Sequence, residues 1–315
     1  MNRPVVKICC DNLELKLSCS FMIWRRRRAT WVTCDIVIAE DRRAMLCMFL
    51  SLLALSTLAI RAFAQQVPLA SVASAYSLTT STAFPYPSAT QSTDDAQSFI
   101  VSQWSLSKGR IQNNPQNLAF VDDPFPNNPP PVTDSSNYTG PVLQVTYPQN
   151  SYSDGTGGGI GGAQFINLWN ASDGSSFNSM LLSYEVAFDS NFNWVLGGKL
   201  PGLRGGLATS GCSGGSQSNG SSCFSSRVMW RQNAAGEGTH AIPSLHLLET
   251  DRRVVYAYIP TPNGLCNDNN IICNSDYGIS ISRGSFTFST GQWSRITMLV
   301  QLNNPSDLAN GNIQL

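Results

Sequence analysis

A strict two-residue alternation of apolar and polar side chains is the feature that most limits the fold of this chain. In the segment Leu182–Asp189, four large apolar residues alternate with serine, glutamate, alanine and aspartate. Side chains two residues apart lie on the same face of a strand, so this segment predicts a strand with one buried face. The pattern continues, between loops rich in Gly, Pro and Asn, in Val142–Tyr147, Tyr277–Arg283 and Trp293–Leu302. About eight such strands linked by loops predict an all-β sandwich of two antiparallel sheets.

Two further segments, FSSRVMW and VVYAYIP, carry polar side chains at alternate positions. In a strand these polar residues share one face, and the apolar residues between them lie on the other. A glycine-rich segment upstream, GGKLPGL, which we expect to form a turn, adds a lysine. Together the three segments supply one polar set for an open sheet face: Lys199, Ser225, Arg227, Tyr256 and Tyr258. Two cations, a serine and two tyrosines suit an anionic sugar as ligand.

The formal net charge of zero conceals an uneven distribution of charge. Ten of the 20 Lys and Arg residues, but only five of the 20 Asp and Glu residues, lie in residues 1–64, so the remainder is acidic. Only two lysines follow residue 64, Lys108 and Lys199. This balance does not favour nucleic-acid binding. A cationic site on such a body has to be a local one.

The N-terminal part of the chain predicts secretion. Two arginines, Arg42 and Arg43, lie just before Met45–Ala64, which contains an apolar stretch and an Ala-Phe-Ala cleavage signal, as a signal peptide does. The apolar stretch, about 15 residues, is shorter than the roughly 20 that a membrane-spanning helix needs. We interpret residues 1–44 as a spurious or disordered extension and residues 65–98 as a Ser/Thr-rich lead-in. Residues 99–315 then form the functional domain, with a short helix near its start, and the mature protein is extracellular without a membrane anchor.

Four cysteines follow the predicted signal peptide, and they allow three pairings. In a secreted chain disulfides are expected, and we favour the two local pairings, each of which closes one loop. A metal site is the alternative, but neither pair has the spacing or the nearby histidine of one. The cysteines are Cys212, Cys223, Cys266 and Cys273. Three N-glycosylation sequons, at Asn137, Asn170 and Asn219, are consistent with secretion.

Four segments taken together (GGKLPGL, CFSSRVMW, VYAYIP and SDYGISISRGSF) resemble polysaccharide lyase family 14, which includes alginate and glucuronan lyases. The resemblance runs from about Ala75 to the last residue. It implies a β-jelly-roll and the β-elimination of a polyuronate. It also implies that Lys199, Ser225, Arg227 and the two tyrosines belong to the catalytic and substrate-binding set. Two departures stand out: residues 238–254 interrupt the family pattern, which we interpret as a retained intron, and the chain ends before the family's last strands.

β-Elimination on a uronate needs a group that neutralises the carboxylate, a base for the C5 proton and an acid for the departing O4. Arg227 suits the carboxylate because a guanidinium pairs with it through two parallel hydrogen bonds, and Lys199 adds a second charge. Both histidines of the chain lie in residues 238–254, so the proton transfers fall to Tyr256 and Tyr258. The sequence does not assign base and acid between them. Ser225, Tyr277 and Arg283 are predicted to bind substrate, without any metal or cofactor, and we expect a monomer.

Two other classes of function remain open at this stage. A non-catalytic carbohydrate-binding protein on the same fold would use Trp194 and Trp230 as stacking platforms. A glycoside hydrolase would need two carboxylates at a defined separation, and Glu185 and Asp189 share one strand face. Unsaturated, saturated or absent products distinguish the three classes.

Overall fold

The computed structural model describes residues 5–9, 68–129, 139–149, 151, 161–169, 177–194, 197–206, 208, 210–232, 255–284, 286–305, 308 and 310–315. Two α-helices, two short 3-10 helices and eleven strands make up its secondary structure. In chain order these are β1 Val5–Cys9, α1 Leu69–Ala75, α2 Thr93–Gln103, a 3-10 turn Pro115–Asn117, β2 Leu118–Val121, β3 Val142–Thr146, β4 Ser179–Phe188, β5 Gly198–Gly205, β6 Phe224–Trp230, β7 Val255–Tyr258, a second 3-10 turn Leu265–Asn267, β8 Ile271–Ile272, β9 Ile279–Ile281, β10 Trp293–Gln301 and β11 Asn312–Gln314.

The strands form two sheets, and every ladder between them is antiparallel. One sheet has the order β11-β10-β4-β1-β3-β2 and the other the order β5-β6-β7-β9-β8. The main core lies between the sheets, where Tyr184, Val186 and Phe188 of β4 pack with Val228 of β6 and Ala257 of β7. The predicted all-β, jelly-roll-like sandwich is therefore confirmed.

Strand β4 follows the alternation on which the fold prediction was based. Its residues 184, 186 and 188 are in the core between the sheets, while Leu181 packs in a separate cluster with Ala73 of α1 and Leu299 of β10. One face of β4 thus packs against the other sheet, and its opposite face packs in part against helix α1. Helix α1 lies within the segment predicted as a lead-in. The predicted short helix near Ala96 is α2.

Strand β1 occupies the middle of the larger sheet. Its backbone pairs with β3, where Val6 lies opposite Val145, and with β4, where Val6 lies opposite Phe188. Nothing in the sequence pattern pointed to a strand in this position. The predicted signal peptide falls outside the described residues, as does the interrupting segment 238–254. Among the described residues no helix is long and apolar enough to cross a bilayer.

A nearly buried ion pair joins β4 to β10. Arg295 donates to one oxygen of Glu185 from Nη2 at 2.7 Å and from Nε at 3.2 Å, and the two side chains are 8% and 12% exposed. We expect Glu185→Ala to lower the free energy of unfolding by about 3 kcal/mol, because it takes the Glu185 carboxylate away from a nearly buried guanidinium. Urea unfolding measures this loss. The double change Glu185→Leu with Arg295→Met should cost clearly less; an equal or larger cost would contradict this account.

Candidate active site

The five-stranded sheet has a second face, directed away from the sandwich core. Val228, Val255 and Ala257 point into the core, whereas Met229, Tyr256 and Tyr258 pack together on the opposite face. The predicted assignment of the two tyrosines to one face, opposite the apolar residues, is thus what the structure shows. This outer face is the candidate active site.

Strand register brings the polar side chains of β6 and β7 opposite one another. Arg227 lies across from Tyr256, and Ser225 lies across from Tyr258. Residues directly opposite in an antiparallel pair have neighbouring side chains on the same face. On the far side of β7, Ser280 of β9 lies across from Tyr256. The outer face therefore carries one continuous polar row over three strands.

Lys199 belongs to strand β5 and not, as predicted, to a turn. It lies across from Met229, and an irregularity in the pairing separates it from Gly202, which lies across from Arg227. A Cβ on Gly202 would come within 2.6 Å of the Arg227 Cα, so the glycine lets the two strands approach closely. The Lys199 ammonium lies 5.7 Å from the centre of the Tyr256 ring. The glycines that suggested a turn instead serve an edge strand with a bulge.

The two tyrosine hydroxyls form a hydrogen-bonded pair, with 3.4 Å between their oxygens. The backbone N–H of Gly278 donates to the Tyr256 oxygen at 3.1 Å, and the N–H of Gly215 donates to the Tyr258 oxygen at 3.1 Å. Both residues are nearly covered, at 7% and 1% exposed. Each oxygen therefore has a fixed amide donor, and a proton can pass between the two hydroxyls.

The surroundings separate the acidities of the two phenols. Burial raises the pKa of Tyr256 to about 12, and its hydrogen bond with Tyr258 adds to this rise. For Tyr258, burial also raises the pKa, but the hydrogen bonds from Tyr256 and the Gly215 amide, with the charge of Lys199, outweigh it. Its pKa is lowered from the ordinary 10.0. Tyr258 is accordingly the first of the pair to lose its proton.

The two cations of the site are held where their charge is disfavoured. Burial lowers the pKa of Lys199, and repulsion from Arg227 and Arg231 lowers it further. Burial likewise lowers the pKa of Arg227. An arriving carboxylate relieves both effects, since an opposite charge nearby favours the ionised form. The site is therefore suited to an anion.

The three residues predicted to bind substrate lie in different surroundings. Ser225 is 1% exposed, and its hydroxyl donates to the Cys212 carbonyl at 2.5 Å, so in this structure it holds a loop. Tyr277 is 56% exposed and precedes Gly278, whose amide contacts Tyr256. Arg283 is exposed and donates to Ser280 at 2.8 Å. Tyr277 and Arg283 thus flank the polar row, and their contact with substrate stays a prediction, as does that of Ser225.

Both predicted local disulfides are present. Cys212 pairs with Cys223, and Cys266 pairs with Cys273, with Cα–Cα distances of 6.0 Å and 5.8 Å. The first bridge packs against the tyrosine pair, because both of its cysteines belong to the same apolar cluster. Among the described residues no group of three or more His, Cys, Asp or Glu side chains is placed to hold a metal ion.

Two arginines that the sequence analysis did not name also belong to this region. Arg231 follows Met229 by two positions. Its guanidinium carbon lies 5.8 Å from the centre of the Tyr256 ring. The period of two in β6 could have revealed it, since residues 227, 229 and 231 share a face. Arg204 of β5 lies across from Ser225 and donates to loop carbonyls. No feature of the sequence predicted those contacts.

The tryptophans considered as stacking platforms are packed against other aromatic side chains. Trp230 is 3% exposed and makes edge contacts with Tyr147, Phe188 and Phe192. Trp194 stacks on Phe288, with 6.4 Å between ring centres. Trp230 therefore has no free ring face on which a sugar could stack.

The outer sheet face thus combines cations suited to an anion with a hydrogen-bonded tyrosine pair that can exchange a proton. The family model described as Polysaccharide lyase 14 matches residues 135–315. This match covers more than half of the chain, so the chain belongs to the polysaccharide lyase 14 family and is a polysaccharide lyase.

One solved structure is similar to this chain, that of the marine PL-14 alginate lyase from Aplysia kurodai. Their sequences are 27% identical, the match covers 70% of this chain and 72% of that one, and the TM-score is 0.47. No curated protein matches the chain significantly.

Proposed function

We propose that this lyase cleaves a polyuronate by β-elimination, with Tyr258 as base and Tyr256 as acid. The observation that carries the proposal is the tyrosine pair itself. In this pair Tyr256 lies beside Lys199 and opposite Arg227 of the neighbouring strand. Both hydroxyls are on one sheet face with two cations, and the described part of the site contains no histidine. The polymer is one of mannuronate, guluronate or glucuronate, of which alginate and glucuronan are the candidates.

The chemistry begins at the carboxylate on C6. Arg227 and Lys199 bind this group and stabilise the negative charge that develops on it as the C5–H bond breaks. The Tyr258 phenolate takes the C5 proton, and the electrons of that bond pass into the C6 carboxylate, which becomes an enolate. These electrons then form the C4=C5 double bond as the C4–O4 bond breaks, and O4 leaves with its electron pair and takes the proton of Tyr256. The products are an unsaturated uronate end and a hydroxyl on the departing chain.

The tyrosine pair suits these two roles because its members differ in acidity. A base works best when its pKa is near the working pH, whereas an acid must still hold its proton there. Tyr258, with the lowered pKa, meets the first requirement. Tyr256, with a pKa near 12, meets the second. After one turnover the proton on Tyr258 has only 3.4 Å to travel to restore Tyr256.

Two alternatives find less support in the structure. The glycoside hydrolase hypothesis relied on Glu185, which is paired with Arg295 on the larger sheet and alternates with the core residues Tyr184 and Val186. That position is across the sandwich from the tyrosine pair. The binding-protein hypothesis relied on Trp194 and Trp230; Trp230 belongs to the core, and Trp194 is partly buried against it.

The deciding experiment follows ultraviolet absorbance during incubation with polymannuronate, polyguluronate and glucuronan. Rising absorbance from unsaturated ends on at least one polymer is the expected result. Saturated fragments without that absorbance would establish hydrolysis, and binding without fragmentation would establish a carbohydrate-binding protein; either result would overturn the proposal. The two disulfides are typical of proteins from an oxidising compartment, so we also propose that the enzyme acts outside the cell.

The rate should depend on pH through Tyr258. Because the base must be deprotonated, kcat/KM is expected to rise with pH, and the midpoint should lie below 10.0, the ordinary value for tyrosine. The rate should fall again where Lys199, whose pKa is also lowered, loses its charge. A pH profile between neutral and strongly alkaline conditions measures both limbs. A rate that falls steadily over the range in which Tyr258 ionises would contradict its assignment as base.

A further inference from the structure

The loop between Cys212 and Cys223 covers the tyrosine pair. Its two cysteines are 0% and 6% exposed and pack against Tyr256 and Tyr258. The sequence of the loop, CSGGSQSNGSSC, contains no ionisable side chain other than the bridged cysteines. The loop is therefore neutral, and its polar contact with the tyrosine pair comes from its backbone.

One end of the loop is fixed by a single arginine. The Arg204 guanidinium donates to the Gly211 carbonyl at 2.6 Å, to the Ala208 carbonyl at 2.9 Å and to the Ser210 carbonyl at 3.0 Å. Ser225 adds its bond to the Cys212 carbonyl. These four contacts anchor the start of the loop to two neighbouring strands, β5 and β6. The disulfide ties its start to its end.

The part of the loop so positioned is the amide of Gly215, which donates to the Tyr258 oxygen. Gly215 has φ of +94°, in the left-handed region, and an added Cβ would lie 3.0 Å from the Asp276 carbonyl oxygen. A glycine is thus needed for the N–H to reach the phenol. A hydrogen bond to a charged oxygen is about twice as strong as one between neutral groups. This donor therefore favours the phenolate over the phenol.

We propose that Arg204 and the Cys212–Cys223 bridge are positioning elements, which hold the Gly215 amide as a fixed donor on the Tyr258 phenolate. The proposal rests on the proposed function, in which Tyr258 is the base. Other ionisable groups also lie around the tyrosine pair, and substitution of the two cysteines leaves every one of these residues unaltered. They are Lys199 and Arg204 from β5, Arg227 and Arg231 from β6 and its end, Tyr256 from β7, and Arg283 beyond β9.

The test measures ionisation of tyrosine in the resting full-length protein by ultraviolet difference titration, without substrate. The first ionisation is assigned to Tyr258 by its disappearance in Tyr258→Phe. In Cys212→Ser with Cys223→Ser, the Tyr258 ionisation constant is expected to fall about tenfold, which moves its midpoint up by about one pH unit. The matched control, Cys266→Ser with Cys273→Ser, removes a bridge of similar span elsewhere and should leave the midpoint unchanged.

The pH–rate profile provides a second readout. In the loop variant the midpoint of the ascending limb of kcat/KM should rise in parallel with the titration. A variant that fails to fold by circular dichroism is replaced by Arg204→Lys, which keeps the bridge and the positive charge, lacks the guanidinium fork that holds the loop carbonyls, and should shift the midpoint in the same direction. An unchanged Tyr258 midpoint in the folded variant overturns the proposal.

The two proposals can fail separately. If the protein cleaves polyuronate but the loop variant titrates normally, the positioning proposal is wrong and the proposed function stands. If the loop variant shows the shift but no polymer is cleaved, the Gly215 donor exists and the proposed function is wrong.

Discussion

Tyr258→Phe is expected to lower kcat about a thousandfold, within the range that general acid–base groups contribute. The substitution removes one oxygen and leaves the ring, which is 1% exposed, in its packing against Cys212 and Cys223. The fold should therefore survive, while the C5 proton loses its acceptor. KM should change little, because the carboxylate is still bound by Arg227 and Lys199. Initial rates of absorbance increase at saturating polymer measure the effect.

Two companion variants make this result specific. Tyr256→Phe should also lower kcat, and more so for a poor leaving group, because it removes the proton donor for O4. Tyr86→Phe is the matched control, since Tyr86 packs on Trp104 and Phe120 in the separate cluster around α2. That control should keep its full rate. If Tyr258→Phe retained more than a tenth of the activity, another group would have to be the base.

Arg227→Ala is expected to lower kcat/KM by about a thousandfold, through kcat more than through KM. The charge on the uronate carboxylate and its enolate form grows as the C5 proton leaves, so the guanidinium stabilises the transition state more than the bound ground state. Arg227→Lys should recover only part of the loss, because an ammonium lacks the planar fork that pairs with both carboxylate oxygens. Michaelis–Menten kinetics on one polymer separate the two parameters.

A remote cation provides the comparison for Arg227. Lys108 is exposed in the loop after α2, and Lys108→Ala should leave both parameters unchanged. If Arg227→Ala raised KM at constant kcat, the arginine would only hold the polymer, and the neutralising role would belong to Lys199 alone.

The sequence was most informative where a residue's role depends on the period of the strand. The shared face of Tyr256 and Tyr258, and the opposite orientation of Val255 and Ala257, follow from alternation and are confirmed. The local disulfides are confirmed as well, because short loops bring their ends together without help from the rest of the fold. The sequence predicted which loops the bridges close, but it did not predict which residues those loops contact.

What the sequence could not predict depends on contacts between distant segments. Lys199 was assigned to a turn because glycines surround it, yet its backbone pairs with β6. The returning loop presents the Cys212 carbonyl to the Ser225 hydroxyl, a contact that the sequence did not predict. The three bonds from Arg204 to loop carbonyls have no signal in residue type or spacing. A side chain's face can be deduced from its strand, but what covers that face depends on the whole fold.

The position of β1 has a consequence for the proposal that the enzyme is secreted. This strand is the link through which β3 pairs with β4. If cleavage after Ala64 removes the N-terminal segment, two bare strand edges face each other across roughly 10 Å, twice the spacing of neighbouring strands. In the processed molecule β3 and β4 then have either to pair with each other directly or to pair with a replacement strand, since unpaired strand edges tend to pair with other chains. Maturation would in that case include a rearrangement of the larger sheet, which lies across the sandwich from the candidate active site.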